Sequence, residues 1–176
     1  MSLVFKGEFG MSKAFMIGVA ALALGVWSGA ASAQTSPAPA ADPTSFASGA
    51  EVQAQLRQML SEMKPEQGFM WRPVARDGTN VAAIEIWKKP GRPAVHPNQA
   101  EYAIVLEGRV ELVSCGAMTD PKVTNPTLTE GGRIEGGVTR PLGPGDVILV
   151  PAGVPHWFGI TGERLVLLGI KLPAGK

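Results

Sequence analysis

The chain has 176 residues, of which 45% are hydrophobic and 18% charged, with 22 Gly and 15 Pro. That length suits one globular domain preceded by a leader, with enough apolar content for a core. The formal net charge is +1 at pH 7, without the basic excess that a nucleic-acid partner requires. A single cysteine, Cys115, excludes an intrachain disulfide.

In chain order, Lys13 comes first as a positive charge, followed by the apolar run AFMIGVAALALGVWSGA and a small-x-small step, ASAQ. This is the layout of a secretory signal peptide cleaved after Ala33. The run is also about long enough to span a bilayer as an uncleaved anchor, but its Ala/Gly content and well-placed small residues favour cleavage. Residues 1–33 are therefore expected to be a leader. The rest is expected to be periplasmic or secreted, with no membrane association after cleavage. Without Lys6, Lys13 and Glu8, 14 basic and 14 acidic residues remain. Residues 34–47 form a Pro/Ala/Ser linker that cannot bury a core.

Residues 48–66 read as one helix. Ser48 and Glu51 have capping-box spacing, and Val52, Leu56, Met59, Leu60 and Met63 recur at helical intervals as one apolar stripe. Pro65 ends it. From residue 67 to 173 the pattern changes to short apolar runs between turn residues: FMWRPVA, VAAIEIW, PAVH, EYAIVLE, RVELVSC, VTRPL, DVILVP, HWFGI and RLVLLGIK. Runs this short, rich in β-branched and aromatic residues, predict an all-β sandwich or barrel. Gly108 and Gly145 suit tight reversals between strands. Two runs, EYAIVLE and RLVLLGIK, are apolar on both faces and need an outer cover. The helix is one candidate cover, and a second subunit in a homodimer is the other. Residues 117–137 form a long Gly/Thr/Pro-rich connection, readable as a lid or as a surface excursion. Cys115 is expected to be a buried, inert thiol on a strand.

The chain has only two histidines. His96 lies five residues before Glu101, and along one unbroken strand the two side chains would point to opposite faces. The intervening PNQA is turn-forming, so a strand, turn, strand path lets both face one interior. His156 follows a strand closed by Pro151 and turned at Gly153. Two neutral imidazoles and a carboxylate suit a divalent transition metal. Asn98 and Gln99 are turn residues with oxygen atoms to offer. Alternation along HWFGI sends His156 and Phe158 inward and Trp157 outward. Glu85 and Glu111 have apolar neighbours that would let them face the cavity, but the default for such strand positions is solvated.

At these residues the sequence resembles the cupin family. That family's second motif, Gly, five residues, Pro-x-Gly, two residues, His, is met by Gly145, Pro151, Gly153 and His156, with Ile160 where the terminal Asn usually stands. Of the first motif, His96, Glu101 and Gly108 are present, and Ala94 replaces the first histidine. The resemblance covers about residues 81–171. It implies an antiparallel jelly-roll, or double-stranded β-helix, barrel, to which the helix read above adds one N-terminal helix. It also implies a site in the barrel mouth with His96, Glu101 and His156 as metal ligands, Glu101 as ligand or general base, and Ala94, Asn98 and Phe158 in the pocket. The ion would be divalent Fe, Mn, Ni, Zn or Cu. The partner would be a small organic molecule, and the chemistry of oxygenase, isomerase or lyase type, among which fold does not select. The alternative is a metal-free binding or sensing barrel, which Ala94 favours and the paired histidines oppose.

Overall fold

In the computed structural model, residues 41–174 are described. The expected leader and most of the expected linker lie outside them. Residues 41–48 have no regular structure, but Ser45 Oγ accepts the backbone N–H of Arg76 at 3.0 Å. The helix α1 spans Gly49–Glu62. Its capping box forms as expected: Ser48 Oγ accepts from the Glu51 N–H at 3.2 Å, and the Glu51 carboxylate accepts from the Ser48 N–H at 2.7 Å. The backbone turns extended at Met63, two residues before Pro65.

The strands are β1 (Phe69–Asp77), β2 (Asn80–Trp87), β3 (Ala94–Val95), β4 (Gln99–Glu107), β5 (Val110–Ser114), β6 (Ala117–Met118), β7 (Lys122–Asn125), β8 (Leu128–Glu130), β9 (Ile134–Glu135), β10 (Val138–Leu142), β11 (Val147–Val150), β12 (His156–Ile160) and β13 (Leu165–Pro173). All nine expected runs are strands. One sheet runs β1-β2-β13-β4-β11 and a second β10-β5-β12-β3-β8-β7, with β6–β9 as a small separate pair. Every pairing is antiparallel, which makes the domain an antiparallel jelly-roll barrel with one N-terminal helix. The two prolines inside strands, Pro73 and Pro141, lie on β1 and β10. Both are edge strands, where a missing N–H costs the sheet no ladder bond.

Two packed layers follow from strand alternation. Between the sheets, Ala103, Val105, Val110, Leu112, Ile148, Val150, Leu165 and Leu167 form one buried cluster. On the outer face of the first sheet, Ile84, Ile86 and Val166 pack under Leu56 and Met59 of α1 and under Met63 just after it, with Leu106 at the margin. Part of the outer face of β4 and β13 is thus covered by the helix. Tyr102 and Ile104 on that same face remain 40% and 36% exposed.

Two expectations need correction. The 117–137 connection is not an irregular loop, because β7 and β8 extend the second sheet alongside β3. Its turns are legible in sequence, but strands of two to four mostly polar residues are not. Cys115 is exposed and adopts φ 64°. It follows the end of β5 and begins a left-handed turn with Gly116 (φ 74°), so the chain leaves the sheet before the thiol can be buried.

Candidate metal centre

The inter-sheet core fills only one end of the sandwich. At the other end the inward positions of the first sheet are polar or aromatic: Phe69, Trp71, Glu85, Trp87, Glu101 and Lys171. Together with Ala94, His156 and Phe158 from the second sheet they line a cavity of about 470 Å³. The register sets these neighbours. Lys171 pairs with Glu101, Trp71 with Glu85, and His156 with Ala94.

Within the cavity, His96, Glu101 and His156 converge, their nearest ligand-type atoms all within 4.8 Å of one another. His96 follows β3, and the turn at Pro97 and Asn98 brings Glu101 back beside it on β4. Glu101 Oε2 lies 3.2 Å from His96 Nε2 and 3.3 Å from His156 Nε2. The far nitrogens are also engaged. His96 Nδ1 is 2.9 Å from the Thr127 carbonyl and His156 Nδ1 3.0 Å from the Val154 carbonyl. A carbonyl oxygen only accepts, so each Nδ1 carries a proton and donates it. On a neutral ring this leaves Nε2 as a bare lone pair turned toward a carboxylate that itself only accepts.

Three acceptors around one point are stable only if something positive lies among them: protons on both imidazoles, or a shared cation. Protonating both would place two more charges near Lys171, whose Nζ is already 3.7 Å from Glu101 Oε2. A divalent ion satisfies all three lone pairs at once. The spacing fits, since adjacent ligands on an ion with bonds of about 2.1 Å sit roughly 3.0–3.4 Å apart. The carbonyl partners of the two imidazoles fix tautomer and ring orientation, as backbone acceptors do behind metal-bound histidines. The donor set therefore fits a borderline divalent ion.

The carboxylates of the cavity are in opposed states. Burial works against ionisation of Glu101, but the close approach of the His156 and His96 rings and the charge of Lys171 outweigh it and hold its carboxyl well below the usual range. Glu85 is pushed up, chiefly by burial and secondarily by Glu101, with Lys171 and the Trp87 indole opposing. Burial alone would lower Lys171, yet the charges of Glu85 and Glu101 raise it.

Of the pocket residues expected from sequence, Ala94 and Phe158 line the cavity, while Asn98 does not. Asn98 is exposed at the turn tip and its carbonyl caps Ala174; its neighbour Gln99, the first residue of β4, lines the cavity instead. Glu85 is buried in the cavity at 4% exposure rather than solvated, whereas Glu111 is exposed. Trp157, expected to point away, also reaches the rim of the cavity, donating its indole N–H to Gly91 at 2.9 Å. Lys171 and Thr127 were missed. Alternation along β13 puts Lys171 on the same face as Leu165 and Leu167, a signal that was available. Nothing local marks Thr127, because it acts through its backbone carbonyl.

Residues 91–172 match the family model described as Cupin. No curated protein matches the chain. Among solved structures, the protein TT1209 of Thermus thermophilus is similar at 18% identity, covering 68% of this chain and 95% of its own, with a TM-score of 0.45. A cupin superfamily protein of Desulfitobacterium hafniense is similar at 19% identity, covering 63% and 82%, with a TM-score of 0.42. Hydroquinone 1,2-dioxygenase PnpCD, in complex with Cd2+ and 4-hydroxybenzonitrile, is similar at 19% identity, covering 65% and 69%, with a TM-score of 0.48.

Proposed function

Residues 91–172 are a cupin domain and the chain belongs to the cupin family through it; from that premise we propose that the barrel holds a divalent metal and a small organic molecule in one pocket. His96, Glu101 and His156 would hold the ion. The observation that carries this reading is the convergence of two imidazole Nε2 atoms on one carboxylate oxygen at 3.2 and 3.3 Å. A bound ion would supply Lewis-acid polarisation of a ligand oxygen. The chain's own contribution is a buried carboxylate held ionised, two oriented imidazoles, and a cavity with an aromatic wall. Three protein ligands leave coordination positions open for a ligand.

Elemental analysis of protein purified without chelator, beside a His156→Ala variant, tests the reading. About one metal ion per chain, lost in the variant, supports it. Metal-free wild type that retains an organic ligand supports instead a binding barrel without turnover, the reading that Ala94 favours.

We also propose that the chain is exported and cleaved after Ala33, which the run of residues from Lys13 to Ala33 supports. N-terminal sequencing of protein recovered from a periplasmic fraction tests this; a mature N-terminus other than Gln34 overturns the cleavage site.

A further inference from the structure

We propose that the pocket takes a small planar organic carboxylate, whose anionic head is read by Lys171 and whose body lies against the aromatic wall. This deepens the proposed function and rests on it for the ion. Lys171 Nζ stands 3.6 Å from Glu85 Oε1 and 3.7 Å from Glu101 Oε2. Both distances exceed hydrogen-bonding length. The ammonium is thus attracted to both acids, yet its three donors are not satisfied by either. Lys171 lines the cavity and its side chain is 33% exposed, so Nζ stays accessible from it. An ammonium with donors open to a cavity is a binding group for an acceptor.

Charge balance sets the sign of that acceptor. The charged residues lining the cavity are Glu85, Glu101, Glu130, Arg92 and Lys171. With a divalent ion on the His96, Glu101 and His156 triad, the lining is net positive whether or not Glu85 is ionised, so an anion is favoured over a neutral or cationic guest.

The remaining wall sets the shape. Phe69 and Trp87 pack with ring centroids 4.2 Å apart, and Phe158 meets His156 edge-on at 6.0 Å. Trp71 completes the apolar side of the cavity. Flat rings favour a flat ligand through offset and edge contacts. The volume of about 470 Å³ lies in the range of about 300–1,000 Å³ usual for small-molecule sites.

The test uses benzoate as the anionic probe and benzyl alcohol as its neutral counterpart. Binding is measured by calorimetry on metal-free and Mn2+-loaded protein, for wild type, Lys171→Met and Lys171→Arg. The expected result is at least tenfold tighter binding of benzoate than of benzyl alcohol by the loaded wild type. Lys171→Met removes that preference, leaving Mn2+ stoichiometry and the benzyl alcohol affinity unchanged, and Lys171→Arg restores most of it. Equal affinity for the two probes overturns the inference, as does an unaltered preference in Lys171→Met. Loss of Mn2+ together with benzoate in Lys171→Met also overturns it, since Lys171 would then act only by holding Glu101. If wild type takes up no Mn2+ but keeps a Lys171-dependent preference, the metal reading fails and the carboxylate inference stands.

Discussion

Ala94 stands directly across from His156 in the antiparallel register and lines the same cavity. A histidine there would add a third imidazole beside the other two, on a strand whose backbone direction is already fixed. The Ala94→His variant is therefore expected to bind Mn2+ about tenfold more tightly, roughly 1.4 kcal/mol, when titrated against a competing chelator. Unchanged affinity would mean that position 94 does not face the ion and that the three-residue set has a different geometry. Gly169 makes the complementary point about space. A Cβ on it would come within 2.9 Å of Glu85 Oε1, so this glycine on β13 is what lets the Glu85 carboxylate lie flat against the strand and within reach of Lys171.

At the scale of elements, the helix is where local chemistry and tertiary packing act together. Its cap has two reciprocal bonds, and removing one by Ser48→Ala is expected to cost about 1 kcal/mol in chemical denaturation. The Glu51 carboxyl is held below its ordinary value by the bonds with Ser48. Its contribution is present above the ordinary carboxylate value and is lost as pH falls through the lower folded value, so the stability difference between wild type and Glu51→Ala should shrink on acidification. Leu56 is 1% exposed and packs over the outer face of the first sheet, so Leu56→Ala is expected to cost about 2–5 kcal/mol, read as a lower denaturation midpoint with no change in metal content. These features were legible in the sequence because cap residues and a 3.6-residue stripe are local signals. The nine main strands were legible for the same reason, each bounded by turn residues. The strands within residues 117–135 were not, since they are two to four residues long and take their order from β3 rather than from their own composition. The site divides in the same way. His96, Glu101 and His156 could be read from spacing and turn chemistry. Alternation could place Glu85 and Lys171 on an inward face, but not at the open end of the sandwich, because it gives the face of a sheet and not which end stays unfilled.

Over the whole domain, two consequences follow from how the surface and cavity are divided. A ligand that binds only the folded state stabilises it by about 2.7 kcal/mol at a hundred times its dissociation constant. Chelation should therefore lower the thermal midpoint of wild type and leave that of His156→Ala unmoved; equal shifts in both would place the ion elsewhere. The second consequence concerns the part of the first sheet that α1 leaves bare. Tyr102 and Ile104 on β4 face outward beside Leu149 and Val147 on the edge strand β11, which are 49% and 70% exposed. These four residues form one contiguous apolar surface at an unpaired sheet edge, the situation that proteins otherwise blunt with charge or cover. We propose that a second copy of the chain covers it. A two-fold axis lying along this face stacks the patch on its symmetry mate and presents the same surface to itself. Analytical ultracentrifugation of the mature chain is expected to give a dimer, and the Ile104→Glu, Val147→Lys double variant a folded monomer with its metal retained. A wild-type monomer at tens of micromolar, or a dimer that survives both charges, would leave the patch without this partner.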